Sequence, residues 1–290
     1  MIRATTAHRS VHVGHDDVIE RTARCPICGD EGARRPVVLL QNNPDIRLLV
    51  CRRCHGASAS HMPTAGFLQR YYARYHEGRG ARVTFADSAR FAKHITDLLP
   101  RVPTRILDFG GGDGTLSVAV AQRLLETTAS IDITVIDWSE PVVTPDSRIR
   151  IDAARTIGER ADEYDLIIAS AVLEHIPDLQ ALLPQLTARI RPGGLLYART
   201  PYIVPLRRVL PVDVGYPAHV HDLGRDFWDA LPTWLPAPLR TLLSRPSLVA
   251  ASWRRQPLRA LAAHLMKFPT HVSRRWPFVG GWEVIMERTS

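Results

Sequence analysis

Residues 105–115 read RILDFGGGDGT, an apolar run that passes through an acid into glycines and then into a threonine that opens a helical pattern. The β-branched and aromatic bias of RILDF predicts a buried strand. Asp108, Gly110, Gly112 and Gly114 make D-x-G-x-G-x-G with Gly111 inside it, so the turn is tight and its backbone can approach a ligand that Cβ atoms would keep away. Dinucleotide enzymes use a similar strand–turn–helix, with the pyrophosphate on the helix N-terminus. A carboxylate at Asp108 repels a pyrophosphate and attracts an ammonium, so the ligand implied carries both charge signs.

Downstream the chain alternates. DITVID, RIRI, DLIIAS and LLYART read as strands, and LQALLPQLTARI reads as a helix. Alternation of this kind means a parallel, doubly wound α/β sheet. VIDWSE places Asp137 at the end of the second strand, 23 residues after Gly114 (137 − 114), where a carboxylate can accept from both hydroxyls of a ribose. Trp138 beside it is the candidate for stacking on an adenine.

ILDFGGGDGT, VIDWSE, YDLIIASAVLEHIPD and RPGGLLYARTP, in that order across roughly residues 104–202, resemble the successive motifs of class I S-adenosylmethionine methyltransferases. The resemblance implies a Rossmann-like sheet and S-adenosylmethionine as cofactor, held by Asp108, the four glycines 110, 111, 112 and 114, Asp137 and Trp138. It also implies that Asp152 and Ala153 contact the adenine, and that Ala169 or Ser170 lines the pocket near the sulfonium. The expected chemistry is in-line methyl transfer to O, N or C of a small polar or anionic metabolite, as in secondary-metabolite or sugar biosynthesis.

Open α/β sheets build their sites beyond the carboxyl ends of the strands, which puts Glu174 and His175 of SAVLEHIPD beside the reacting centre, with His175 the first candidate for a general base. His219, His221 and Asp222 of GYPAHVHDLGRDFW offer a further base or a metal ligand if that segment folds over the same pocket. Quinone-pathway O-methyltransferases are similar around LEH but carry an additional glutamate where this chain has Ala171, which argues against a catalytic divalent metal.

Upstream lie all four cysteines, as Cys25-x-x-Cys28 and Cys51-x-x-Cys54. Two such pairs flanking the β-prone runs VVLL and IRLLV predict a zinc ribbon whose four thiolates close a tetrahedral site. With no open coordination position, that Zn2+ is structural, and His55 and His61 are substitutes at most. Phe67, Leu68, Tyr71, Tyr72 and Tyr75 recur at helical spacing after the ribbon and predict a helix docking it onto the rest. A four-cysteine ribbon, a tyrosine-rich helix and a class I domain together resemble natural-product and sugar methyltransferases.

The resulting division is a flexible tail (1–23), the ribbon (24–62), helices plus the cofactor-binding core (63–202), a helical substrate-cap insertion (203–278) and a final core strand (279–290). The insertion carries Arg207, Arg208, Arg225, Arg240, Arg245, Arg254, Arg255, Arg259, Lys267, Arg274 and Arg275 without a comparable set of acids, which favours an anionic or carrier-bound acceptor. The whole chain of 290 residues is 45% hydrophobic with a net charge of +8, which excludes a disordered or fibrous protein. No apolar run of membrane-spanning length and no signal-like N-terminus occurs, so a cytoplasmic protein without membrane contact is expected. An RNA methyltransferase with a zinc ribbon is the alternative that the basic charge suggests. It is disfavoured because ASAV stands where a base-amine enzyme would have N-P-P-Y, and because the ribbon has no aromatic stacking platform. A non-catalytic cofactor-binding scaffold is disfavoured by the intact Asp108, Gly110, Gly112 and Asp137.

Overall fold

The computed structural model describes residues 11–20, 23–76, 87–138, 146–247, 257–267 and 277–290. Arg254, Arg255, Arg274 and Arg275 lie outside them, as do the side chains of Tyr75 and Arg259. In chain order the elements begin with strands β1 (Arg35–Gln41), β2 (Ile46–Val50) and β3 (Ala57–Ala59) and helices α1 (Ala65–His76) and α2 (Ser88–Thr96). They continue with β4 (Arg105–Phe109), α3 (Thr115–Leu124), β5 (Ile131–Ile136), β6 (Ile149–Ala154), β7 (Tyr164–Ser170), α4 (Leu179–Ala188) and β8 (Ile190–Tyr202). Then come α5 (Val204–Arg207), β9 (His221–Asp222), α6 (Arg225–Trp234), β10 (Leu239–Pro246), α7 (Pro257–Lys267) and β11 (Gly280–Arg288).

The strands β4, β7 and β8 each carry an uninterrupted buried stretch because helices cover both faces of the sheet they form. One face sends Leu107, Ile167 and Leu196 into a cluster with Leu183 of α4 and Phe227 and Trp228 of α6. The other sends Ile106, Leu166, Ile168 and Tyr197 against Phe91 of α2 and Val120 of α3. The strand order is β10-β11-β8-β7-β4-β5-β6. β11 runs antiparallel to both of its neighbours, and the pairs from β8 to β6 are parallel. Parallel pairing brings the carboxyl ends of β4, β5, β7 and β8 to one edge, where the loops they feed must meet. The sheet is thus the doubly wound, Rossmann-like arrangement expected. Among the described residues, no helix is long and apolar enough to cross a membrane.

Three expectations need correction. Residues 203–278 are not a single helical cap, because β10 pairs along its length with β11 as the edge of the main sheet and α6 packs into the core beneath it. As an edge strand, β10 buries only its ends fully, which blurs the period-2 signal that marks a strand. Residues 11–20 of the supposed tail are built into the fold: Val13 is fully buried, its amide donates to Gln41 Oε1 at 3.0 Å, and Val18 bridges Pro63. The ribbon, finally, is not self-contained. β9 arrives from beyond the core and pairs with β3 as the fourth strand of the sheet β1-β2-β3-β9. α1 closes over that sheet as predicted, with Phe67 and Tyr71 packed against Ile46, Ala59 and the 216–220 segment.

The expected surplus of insertion cations is also partly illusory. Arg225 pairs with Asp229, Arg240 with Glu287, and Arg245 with Glu283, whose fully buried carboxylate also takes hydrogen bonds from Tyr197 and His94. The acids come from α6 and from β11, which lies beyond the basic stretch in sequence.

Candidate functional site

At the carboxyl end of β4 the chain must turn sharply over the sheet, and Gly110, Gly112 and Gly114 do so with φ of 69°, 60° and 78°. Only glycine adopts such values without strain. A Cβ on Gly110 would lie 2.2 Å from Val172, and one on Gly111 would lie 2.3 Å from the Asp108 carboxyl carbon, so the loop is pressed against both neighbours. A Cβ on Gly112 would meet nothing within 4 Å. The loop therefore has a closed side toward the protein and an open side toward ligand.

Asp108 is 2% exposed, and its Oδ2 has no hydrogen-bond partner. Burial pushes its carboxyl up to about 6, only partly offset by the hydroxyl and amide of Ser117, while the nearby Asp137 and Asp113 push it further. A buried acid left so incompletely satisfied fits a cation delivered by a ligand. Asp137 accepts from Gly112 N at 2.9 Å through Oδ2 and from Trp138 N at 2.7 Å through Oδ1. These bonds tie the second strand's acid to the glycine loop and orient it. An ammonium countercharge, a glycine cradle and an oriented ribose-type acid fit S-adenosylmethionine.

Trp138 is 79% exposed, with the Arg155 guanidinium 5.7 Å from its ring centroid. Asp152 and Ala153 lie on β6 alongside the end of β5, where Asp152 pairs with Arg150 at 3.1 Å and the Ala153 carbonyl accepts from Arg160. Ser170 ends β7, where its hydroxyl meets Arg199 Nε at 3.4 Å.

Beyond Ser170, Ala171 takes a left-handed turn (φ 57°) that lays Val172 on Gly110 and swings the 3-10 turn Leu173–His175 beside the loop. Glu174 is 1% exposed and burial raises its carboxyl above the usual range, with the His219 charge opposing. His175 Nε2 lies 3.8 Å from Glu174 Oε1, and the His175 and His219 rings pack edge to face at 4.8 Å between centroids. His175 Nδ1 is 2.9 Å from the Ala218 carbonyl, and the Tyr72 hydroxyl is 3.4 Å from the same nitrogen. His175 and His219 are thus brought together as expected. Glu174 joins them, as the sequence placed it beside the reacting centre, and so does Tyr72, which the sequence marked only as a helix-face residue. No local signal in α1 distinguishes Tyr72 from the other apolar-face tyrosines.

His221 is not part of that group. It is 1% exposed, donates from Nε2 to the Ile176 carbonyl at 2.8 Å, and burial lowers it to about 4. It staples β9 to the 173–176 turn. Asp222 is likewise structural: burial lifts it to about 7 while it accepts from Ile203 N and Val204 N at the start of α5.

The four cysteines converge on one point. Cys25 and Cys54 Sγ are 3.8 Å apart, Cys28 and Cys51 Sγ 3.7 Å, and all four lie within 4.8 Å of one another. Tetrahedral zinc with bonds of about 2.3 Å spaces its thiolates by about 3.8 Å. Hydrogen bonds from Cys28 and Cys54 draw the Cys25 thiol down to about 2, while Cys28 is pushed to about 12 and Cys54 still higher by the same contacts. These contacts favour one thiolate at its neighbours' expense, a tension that a cation at the centre relieves, and the residues fit Zn2+. His55 is exposed and His61 bonds to Ser60, so neither is a ligand. The knuckles are alike: Gly29 N donates to Cys25 O and His55 N to Cys51 O, with φ of 74° and 58°. Because His55 holds a left-handed conformation that its partner turn assigns to glycine, His55→Gly should stabilise the zinc-loaded protein by about 0.5–1 kcal/mol, read as a higher chemical denaturation midpoint.

A family model described as Methyltransferase domain matches residues 83–255. Trans-aconitate 2-methyltransferase of Variovorax paradoxus is 33% identical over 115 residues, covering 36% of this chain and 43% of that protein. Ubiquinone biosynthesis O-methyltransferase of Bordetella avium is 30% identical over 107 residues, covering 33% and 42%. The chain thus spans less than half the length of these curated relatives. Among solved structures, plantazolicin methyltransferase BpumL in complex with SAH overlays 70% of this chain and 83% of its own at 17% identity and a TM-score of 0.44.

Proposed function

From the premise that the chain belongs to the methyltransferase-domain family, whose model spans 83–255, we propose that it transfers the methyl group of S-adenosylmethionine to an oxygen of a small polar acceptor. The observation that carries this reading is the buried, unpartnered Asp108 oxygen beneath a glycine cradle that is tied to Asp137. Asp108 takes the ammonium of the amino-acid end, the glycine-loop backbone lies against it, and Asp137 accepts from the ribose hydroxyls. Bound S-adenosylmethionine supplies an electrophilic methyl carbon on a sulfur that keeps the bonding electrons when it leaves. The chain's own work is to hold the acceptor oxygen in line and to dispose of its proton.

That second task falls to the Glu174, His175 and His219 group. The Ala218 carbonyl can only accept, so His175 holds a proton on Nδ1, and Nε2 is the nitrogen that takes the acceptor's proton. The choice of oxygen is supported by the name of one relative, an O-methyltransferase. The net charge of +8 favours an acceptor that carries negative charge, whether free or carrier-bound. The four cysteines hold a structural zinc that supports the acceptor side of the site.

Calorimetric titration with S-adenosylhomocysteine, NAD and NADP tests the cofactor. Micromolar binding of S-adenosylhomocysteine alone is the expected result, and binding of a nicotinamide cofactor in its place overturns the reading. Given an acceptor, His175→Ala should lower kcat by about 10²–10⁴-fold while the S-adenosylhomocysteine Kd stays within about twofold. A kcat unchanged by that substitution would remove His175 from the proton path.

A further inference from the structure

The atoms that meet beside the glycine loop have the make-up of a metal site separate from the cysteine cluster. Glu174 is 1% exposed, and its Oε2 has no hydrogen-bond partner. His175 Nδ1 faces the Ala218 carbonyl at 2.9 Å, and His219 Nδ1 faces the Val214 carbonyl at 3.0 Å. Carbonyls only accept, so each ring holds a proton on Nδ1. A backbone acceptor on the second ring nitrogen is the arrangement that fixes a ligating histidine in its tautomer and orientation.

The ligand atoms of Glu174, His175 and His219 lie within 4.8 Å of one another, and Glu174 Oε1 is 3.8 Å from His175 Nε2. A cation with bonds of about 2.1 Å would space its ligands by about 3.4 Å, so modest side-chain movement closes the set. The backbone makes room for it. Gly215 sits at φ 94°, and a Cβ there would lie 2.7 Å from His219 Nδ1, so the glycine lets that ring approach. His175 retains 28% side-chain exposure, which leaves the group open on one side.

We propose that Glu174, His175 and His219 bind a divalent first-row cation through two nitrogens and a carboxylate, with coordination positions left open for the acceptor oxygen. His219 supplies a third ligand in a chain whose Ala171 argued against a catalytic divalent metal. With the cation bound, the imidazoles act as ligands, and the acceptor hydroxyl loses its proton to solvent because a cation-held oxygen is more acidic. The role in acceptor activation rests on the methyl-transfer reading, whereas the binding of the ion does not.

The test uses full-length protein whose cysteine site is loaded with zinc, titrated with Co2+. The expected result is one additional cobalt per chain, giving weak visible d–d bands without sulfur charge transfer. His219→Ala and Glu174→Gln should each weaken cobalt binding by about 100-fold or more while zinc content and S-adenosylhomocysteine affinity are kept. Wild-type protein that binds no cobalt beyond the cysteine site overturns the proposal whatever the variants do, and so do variants that bind cobalt as tightly as wild type. Cobalt bound without any affinity for S-adenosylhomocysteine would leave the metal site standing and sink the methyltransferase reading instead.

Discussion

Cys54→Ser is expected to strip the zinc and, with it, the order of the acceptor half of the site, while the cofactor half survives. The cysteines are not an appendage. Cys25, Cys51 and Cys54 belong to the same apolar cluster as Leu173, Leu179, Leu223 and Phe227, which carry the 173–175 turn and its supports. Backbone bonds cross the same seam. Gln180 N donates to Pro26 O, Ala59 N to Val220 O, and Val220 N to Glu174 O, each at 2.8–2.9 Å. Metal binding in small zinc modules supplies about 10–16 kcal/mol of folding free energy, and β1 to β3 offer too little core to replace it. Losing even 3–5 kcal/mol of that corresponds to a fall of roughly 10 °C in the thermal midpoint for a chain of this size. α3, whose Ser117 bonds to Asp108, packs on the opposite face of the sheet, so S-adenosylhomocysteine affinity should change by less than about tenfold while acceptor turnover is lost. Scanning calorimetry, metal analysis and cofactor titration on the one variant separate these effects. A zinc-free variant with an unchanged midpoint would show that the module contributes nothing to the fold.

What the sequence made legible is what a short window can hold. RILDFGGGDGT carries strand, turn and helix start in eleven consecutive residues, and the structure places all three there. The cysteine pairs are equally local, since each knuckle is closed by two backbone bonds within six residues. The misreadings are all long-range. Nothing near Val13 says that Gln41 will accept from its amide, and nothing in HVHD says that two of its residues will complete the sheet of a ribbon more than 150 positions earlier. The arginines of 225–245 look like a free cationic surface until β11 brings Glu283 and Glu287 alongside. His175 and His219 meet across 44 positions (219 − 175), and Gly215 was the available hint, a glycine placed where only a close approach explains it.

The other large effect is expected at Asp108, and it combines a loss in binding with a gain in the ligand-free fold. Asp108→Asn keeps the shape but removes the charge, so it should weaken S-adenosylhomocysteine by about 10²–10³-fold, equivalent to roughly 3–4 kcal/mol, as for other buried charge pairs that lose one partner. The sign on stability is opposite. Burial raises the folded-state carboxyl from 3.8 to about 6, so the ionised form is disfavoured in the fold, and stability is lost as pH rises through that window and stays lower above it. The asparagine variant does not bury a charge and should be at least as stable as wild type at pH 7.5 without ligand. The same shift dictates how binding responds to pH. An ammonium needs the ionised acid, so wild-type affinity should hold from pH 8 to about 6 and then fall toward tenfold per unit as Asp108 takes a proton. The variant has no such proton to take, so its affinity should be flat over that range, and the gap between the two proteins should narrow by about tenfold as pH approaches 5. Calorimetric titrations of both proteins from pH 5 to 8 read all of this together. Parallel curves, with the variant losing affinity on acidification as wild type does, would assign the pH dependence to another group and take the ammonium away from Asp108.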